Sequence, residues 1–480
     1  MDIRALELDP ETIARLVEQS AAIVLPHLTR PSSRPIAIPT TLAEASARVG
    51  GALPLDAADP SRVLEEVASL IAPYGVHNGH PRFFGYVGTS AVPLAVLADG
   101  IAAALNLNVV TSRSRPTAVA VELAVLSWLA RLLGLPADAR GLLTSGGTQA
   151  NMLCLAALRS AAFPEVRREG MRSLGRQALL YAAPDAHHCH RKIVELLGFG
   201  SRSLRLVPAD ARRRLDLEEL RAAIAVDRAS GALPFAVIAS AGTALTGAVD
   251  PVADLADLCD EEDLWLHVDA CHGGFARLGA AALGAETARH LDALGRADSV
   301  AADAHKFLFM PLEAGVAFVR HPAHLRAAFG ATADYLAGGE HDFFQDGLAT
   351  SRAFRALKIW VAMRAHGARA FEAAVEGCLR LAQALSAKIA AAPELELAAA
   401  APELSTLCFR YLPQGRAQED IDQLNAALVR ELQQGGSTFV SDTTLDGRPV
   451  IRACIMNFRT RPADLDIFLD EVREIGRRLS

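Results

Sequence analysis

Short, continuous apolar runs alternate with helical stretches between residues 142 and 319, and this alternation limits the possible folds more than any other feature of the chain. The runs are Leu142–Thr144, Leu179–Ala182, Leu204–Val207, Phe235–Ser240, Leu264–Val268, Ser299–Ala301 and Val316–Val319. None shows the polar/apolar alternation of a half-exposed strand. Each therefore reads as a strand covered on both faces, the pattern of a mainly parallel sheet flanked by helices. Ligands of such sheets bind beyond the carboxyl ends of the strands. The polar residues that invite a chemical reading fall there repeatedly.

The flanking regions read differently. Asp9-Pro10 and Asp59-Pro60 each place an N-cap before a proline at the first helical position, predicting helices near 10–27 and 60–73. A Pro/Ser-rich link, Pro31 to Pro39, separates them. This front section is too small and too helical to hold its own core, so it is expected to pack on another domain or subunit. Arg115-Pro116 opens an apolar helix that Gly134-Leu135-Pro136 ends. Beyond about 345 a long helical region, roughly 350–391, precedes a smaller α/β segment with strands near 404–411 and 449–456. There are no repeats.

At 480 residues, 51% hydrophobic and 21% charged, the chain has ample material for two or three globular domains. A net charge of −7 with no Lys/Arg block leaves no electrostatic footprint for nucleic acid. The 7 cysteines are scattered and form no CxxC, which reads as reduced thiols in a cytoplasm rather than a disulfide framework. Met1 to Glu11 is acidic and lacks the layout of a signal peptide. The most apolar window, Ala91 to Val110, is broken by Pro93, Asp99, Asn106 and Asn108, so a buried segment is expected there and not a membrane span.

Arginine supplies almost all the positive charge; the lysines are Lys192, Lys306, Lys358 and Lys388. Lys306 follows an apolar run within Asp303-Ala304-His305-Lys306. A lysine amine can lose its proton and form an imine with a carbonyl, which a guanidinium cannot. Three other stretches give that lysine a context. Thr144 to Asn151 carries Ser145-Gly146-Gly147-Thr148 between a strand and a helix, where backbone amides and a helix N-terminus can receive an anion. By itself such a turn is weak. Asp269 ends an apolar strand, where a carboxylate can keep a heterocyclic nitrogen protonated or simply cap a helix. Ala186-His187-His188-Cys189-His190 looks like a metal cluster, yet no second ligand pair follows at a suitable distance. No metal is therefore expected, and His187 reads better as a flat residue stacked on a flat cofactor. A phosphate cradle, a carboxylate for a ring nitrogen, a stacking ring and an imine-forming lysine together describe a pyridoxal 5′-phosphate site.

With those residues in view, the chain resembles the group II pyridoxal-phosphate decarboxylases, which act on aromatic amino acids, tyrosine, tryptophan or glutamate. The resemblance runs through His80-Pro81-Arg82-Phe83-Phe84-Gly85, Ser145-Gly146-Gly147-Thr148, Ala186-His187, Gly242-Thr243 and His267-Val268-Asp269-Ala270. It continues through Ala297-Asp298-Ser299, Asp303-Ala304-His305-Lys306 and Ser351 to Trp360, and so covers nearly the whole chain. It implies a fold-type I α/β architecture: a large domain with a mainly parallel seven-stranded sheet, a small C-terminal α/β domain and a helical N-terminal segment. The expected divisions are 1–84 for dimerisation, 85–348 for cofactor binding and 349–480 for the small domain.

The same resemblance implies Lys306 as the lysine that bonds the cofactor, Asp269 as partner of the ring nitrogen and His187 as the stacking histidine. Gly147, Thr148, Asp303 and His305 would surround the phosphate, with Thr243 nearby. Tyr335, matching a mobile-loop tyrosine in its spacing from the lysine, would return a proton to the substrate carbon. A homodimer with sites at its interface is implied as well. The chain departs from the family at Ala244, where a threonine hydroxyl is common, at Cys271, where Ala is common, and at Ala314, where Cys often stands. The apolar and aromatic set His80, Pro81, Phe83 and Phe84 is expected to line the substrate pocket, favouring an aromatic L-amino acid. Rival readings are an acidic or diamino substrate, an aldehyde synthase or other lyase, and a cofactor-free scaffold.

Overall fold

Apolar runs without polar alternation are stable as strands only where both faces are covered. In the computed structural model, which describes residues 6–331 and 339–480, every such run falls in one sheet. Apart from a small pair, Ala37–Ile38 with Gly75–Val76, the strands are, in chain order, β1 (Phe83–Phe84), β2 (Arg140–Thr144), β3 (Ala178–Ala182), β4 (Leu204–Leu206), β5 (Leu233–Ser240), β6 (Trp265–Ala270), β7 (Ser299–Asp303) and β8 (Gly315–Val319). After these come β9 (Leu395–Leu397), β10 (Thr406–Tyr411), β11 (Phe439–Leu445) and β12 (Arg448–Cys454). The large sheet has seven strands in the order β2-β8-β7-β6-β5-β3-β4. From β7 to β4 all neighbours are parallel, and β8 alone runs against its two neighbours. This is the mainly parallel α/β sheet that the runs predict. Strands β3, β7 and β8 are buried along their whole length; helix Gly147–Ala162 packs on β7 and β8, and helix Val252–Glu262 packs on β5 and β6.

The front helices form where the capping signals put them. Asp9 accepts the Thr12 N–H at 2.8 Å and opens Pro10–Thr29. Asp59 does the same for Pro60–Glu66, which continues as a wider turn over Val67–Ile71. No residue of Pro10–Thr29 is buried, as expected of a segment without its own core.

Three expectations need correction. The helical region near 350–391 is two helices, Ala356–His366 and Ala368–Ala390, because Gly367 adopts φ +74°, a left-handed conformation that stops a helix and that glycine tolerates without strain. Helix Pro93–Leu105, expected to be buried, covers Ala95 and Ala98 but leaves Leu97, Ile101 and Leu105 more than half exposed along one stripe. Among the described residues no helix is long and apolar enough to cross a membrane.

The third correction concerns Phe83 and Phe84. They form β1, which joins the C-terminal five-stranded sheet (order β9-β10-β12-β11-β1) in parallel with β11, Phe83 opposite Phe439 and Phe84 opposite Val440. Phe84 is wholly buried against Phe468, with ring centroids 5.3 Å apart, and Phe83 stacks on Phe439 at 5.6 Å. The front segment thus ends as a strand of the C-terminal sheet.

Candidate active site

Loops leaving five strand ends converge on one cavity of about 460 Å³. It lies where ligands of open α/β sheets bind. Among its lining are Gly147 and Thr148 after β2, His187 after β3, Thr243 after β5, Asp269 and Cys271 at the end of β6, and Asp303, His305 and Lys306 at and beyond the end of β7.

The turn after β2 is glycine for a steric reason. A Cβ on Gly147 would stand 2.5 Å from Cys271 Sγ and 3.0 Å from Asp303 Oδ2. A Cβ on Gly315 of β8 would meet the Gly146 backbone at 2.5 Å. Three chain segments therefore close around the start of helix Gly147–Ala162. No side chain caps that helix. Gln149, the nearest candidate, is taken by Ser145, whose N–H and hydroxyl both donate to its Oε1, at 2.8 and 3.0 Å. Free N–H groups at a helix N-terminus beside a cavity suit an anionic group.

Lys306 Nζ lies 3.0 Å from Asp303 Oδ2, and His305 Nε2 reaches the same oxygen at 3.5 Å. Burial would push the Lys306 amine down, but Asp303 and the other anionic groups nearby hold it above its ordinary value. His305 Nδ1 accepts the Ala314 N–H at 3.3 Å, and burial lowers this ring from its ordinary value. Asp303 Oδ1 is buried without a partner. Asp303 thus borders the start of helix Gly147–Ala162 while pairing with Lys306.

Asp269 takes three N–H donors: Cys271 N on Oδ1 at 3.1 Å, and His190 Nε2 and Asn151 Nδ2 on Oδ2 at 3.0 and 3.1 Å. Burial alone would raise its carboxyl, but the His190 hydrogen bond and charge, the Cys271 side chain and Lys306 outweigh burial and hold it far below the usual carboxylate range. His187 is lowered by burial, and its Nδ1 accepts the Cys189 N–H at 3.3 Å. Thr243 Oγ1 sits 3.2 Å from Thr246 Oγ1, and the Thr243 carbonyl meets His272 Nδ1 at 3.1 Å.

Cys189, His190 and Asp269 bring ligand-type atoms within 4.8 Å of one another, the one such group among the described residues. Asp269 Oδ2 already accepts two N–H groups, and burial raises the Cys189 thiol to about 12, so it keeps its proton. His187 is not in the group.

His80, Pro81, Phe83 and Phe84 do not line this cavity. His80 is buried and its Nδ1 accepts the Arg82 N–H, while both phenylalanines fill cores. An aromatic, apolar stretch reads alike whether it lines a pocket or plugs a core. The exposed ring there is Tyr86, and one guanidinium, that of Arg452, bonds both the Tyr86 and Ala244 carbonyls. Arg352 is engaged elsewhere, buried on Glu122 and on the Val109 and Leu143 carbonyls. Tyr335 lies outside the described residues.

Sequence reasoning missed Asn151 and His272 as site groups and weighed His190 only as a metal ligand. Nothing distinguished His272.

The residues present fit pyridoxal 5′-phosphate. The cradle excludes a Cβ at Gly147, and Asp303 Oδ1 and His272 Nε2, two buried polar atoms of residues lining the cavity, have no partner among the described residues. The family model described as pyridoxal-dependent decarboxylase conserved domain matches residues 45–412. An aromatic-L-amino-acid decarboxylase of Bacillus atrophaeus is 30% identical over 99% of this chain and 98% of its own length. An L-2,4-diaminobutyrate decarboxylase of Rhizobium meliloti is 32% identical over 87% of this chain and 82% of its own. The crystal structure of mouse CSAD superposes with a TM-score of 0.90 at 27% identity, covering 98% of this chain and 99% of that one.

Proposed function

The chain belongs to the pyridoxal-dependent decarboxylase family, and from that premise we propose that it removes the α-carboxylate of an aromatic L-amino acid, giving the amine and CO2. That it is a pyridoxal 5′-phosphate-dependent carboxy-lyase for a small amino acid follows from the family itself. The bound cofactor supplies an electron sink for the pair left when CO2 departs.

The chain's own residues divide the remaining work. Lys306 anchors the cofactor and releases the product. Asp269, negative and held by three N–H donors, keeps a proton on the ring nitrogen. His187, which lines the cavity, would lie against the ring. The N–H groups at Gly147 and Thr148 receive the phosphate, with His305 beside them, and Asp303 orients Lys306. Thr243 borders the ring. Tyr335 returns the proton to the substrate carbon. The observation that carries this reading is the meeting of Lys306, Asp269 and the uncapped helix at one group of strand ends.

Two observations support an aromatic substrate. The Bacillus atrophaeus relative acts on aromatic L-amino acids and aligns along nearly the whole chain. Among the described residues lining the cavity, Lys306 is the one Lys or Arg, which leaves no cation for a distal carboxylate. One feature favours a diamino acid instead: Glu313 lines the cavity with its side chain 55% exposed. Arg355, 3.1 Å away, offsets part of that charge.

A homodimer fits the exposed stripe of Leu97, Ile101 and Leu105 and the unburied front helix, with 1–84 as the dimerisation segment, 85–348 as the cofactor domain and 349–480 as the small domain. All seven cysteines are free and buried, which suits a reducing cytoplasm. The test is a decarboxylation screen of the standard amino acids with DOPA and diaminobutyrate, reading CO2 and amine together. Fastest turnover is expected with an aromatic substrate. Fastest turnover with glutamate, cysteine sulfinate or diaminobutyrate would overturn the assignment.

A further inference from the structure

Behind the cavity wall, Asp269 heads a chain of buried hydrogen bonds. Asn151 Nδ2 donates to Asp269 Oδ2 at 3.1 Å, His267 Nε2 donates to Asn151 Oδ1 at 2.8 Å, and the Ser299 hydroxyl meets His267 Nδ1 at 2.8 Å. The directions are fixed by their ends. Asp269 accepts only, so the Asn151 amide must point its NH2 at the carboxylate and its oxygen at His267. Ser299 then donates to the remaining nitrogen of a neutral ring. Asn151 and His267 are thus each anchored at two side-chain atoms, and Ser299 closes the chain with its hydroxyl, so all three have structural reasons to be where they are.

His190 has no such reason. It is fully buried in helix Cys189–Leu196, its Nε2 donates to Asp269 Oδ2 at 3.0 Å, and its Nδ1 has no partner among the described residues. Its one polar bond is the bond to Asp269. A buried imidazole with one nitrogen unsatisfied costs stability, and an apolar side chain of similar shape would serve the fold as well or better. The side chain therefore serves the carboxylate.

We infer that His190 is a positioning residue for the decarboxylation, a second N–H clamp on Asp269 Oδ2 that keeps the carboxylate negative and aimed so that the cofactor's ring nitrogen retains its proton. This rests on the reading of Asp269 as the ring-nitrogen partner. With both side-chain clamps on Oδ2, the Oδ1 atom carries only the Cys271 N–H and keeps a lone pair for that partner. Without His190, one of three donors is lost and a nitrogen-bound proton can pass to the carboxylate more easily. A charge-assisted hydrogen bond of this kind shifts such a balance by roughly ten- to a hundredfold.

The test uses holoenzyme loaded with cofactor carrying 15N at the ring nitrogen, compared with His190→Met and His190→Gln. Methionine fits irregular core space without a donor, and glutamine restores an N–H near the Nε2 position. In the Met variant the unprotonated fraction of the ring nitrogen should rise about tenfold or more, with kcat falling by a similar factor and KM within about threefold. The Gln variant should recover both. A purely structural role would move Tm and leave the ring-nitrogen resonance alone. A Met variant with its ring nitrogen as protonated as in the unsubstituted enzyme overturns the role of His190. An unprotonated ring nitrogen in the unsubstituted enzyme overturns the reading of Asp269 instead. Should the Met variant not fold, 15N-histidine labelling of the unsubstituted holoenzyme decides: His190 Nε2 must carry a proton, and a bare Nε2 rejects the inference.

Discussion

Lys306 Nζ and Asp303 Oδ2 stand 3.0 Å apart across one turn of chain, and the other Asp303 oxygen, equally buried, has no partner. The pair puts a charged amine at the cavity floor beside a carboxylate that is nearly out of reach of water. Removing one partner of such a pair strands the other's charge, so the most informative change keeps the charge and alters only the chemistry.

Lys306→Arg does that. The guanidinium can still pair with Asp303, so the fold should persist, but it stays protonated and cannot bond a carbonyl carbon. Turnover should fall by about a thousandfold or more. Borohydride should no longer fix the cofactor to the protein, and dialysis should remove the yellow colour. Near-normal turnover in the Arg variant would remove Lys306 from the mechanism.

Tyr335→Phe tests which product the site is tuned for. The change keeps the ring and deletes the hydroxyl proton. CO2 release should continue at a reduced rate while amine yield collapses, the balance appearing, with oxygen consumed, as aldehyde, ammonia and peroxide. CO2, amine and peroxide measured in one reaction check this. Amine and CO2 in equal amounts without peroxide would exclude Tyr335 as the donor.

The parts of this fold readable in sequence are those where one local property decides. A strand covered on both faces must be apolar throughout, so the seven runs of the large sheet were legible without knowledge of their order. Asp9 and Asp59 announced helices because the capping bond spans three residues. What was illegible depends on distant partners. Phe83 and Phe84 pair with Phe439 and Val440 across more than half the chain, and nothing local separates that role from a substrate wall. His190 was weighed as a metal ligand because its sequence neighbours are His and Cys, whereas its actual partner is Asp269 on another strand.

Acid should unfold the protein partly through two fully buried histidines. Burial lowers His267 and His272 to about 3, against 6.5 for exposed imidazoles. Between those values the unfolded chain binds a proton that the folded one refuses. Each ring therefore contributes stability that is fully present above about 6.5 and lost as pH falls towards 3, at about 1.4 kcal/mol per pH unit. Asp250, raised by burial to about 7, tilts the other way over part of that range, so the whole-protein slope is a mixture. A variant isolates one ring. His272 stacks on Phe307 with planes 8° apart, and His272→Phe should keep that packing. Denaturant titrations at pH 7, 6, 5 and 4 should show the variant losing less stability per pH unit by about 1.4 kcal/mol. Parallel curves would show that His272 is not the buried neutral ring described here.

The last prediction concerns the loop that carries His187. Two residues before it, Asp185 receives both Arg213 Nε and a terminal nitrogen, at 2.7 and 3.1 Å, and the other terminal nitrogen reaches Asp446 in the turn between β11 and β12 at 2.8 Å. Arg213 does this from a left-handed backbone, φ +65°, which a residue with a Cβ adopts at some cost. Glycine removes the strain and the guanidinium together, so Arg213→Gly sets the two contributions against each other. Backbone relief should return at most about 1 kcal/mol. Leaving Asp185, whose side chain is 11% exposed, without its charged partner should cost about 1–3 kcal/mol. The loss should win, lowering Tm by a few degrees. Because Asp185 pins the turn that presents His187, cofactor affinity should fall several-fold as well. Asp446→Ala is the control: that carboxylate is 74% exposed, its pair is worth well under about 1 kcal/mol, and cofactor binding should not change. Reconstitution of the apo forms, followed by cofactor absorbance, measures all three affinities. Unchanged affinity in Arg213→Gly would make the Asp185–Arg213 pair a brace for the fold with no bearing on His187.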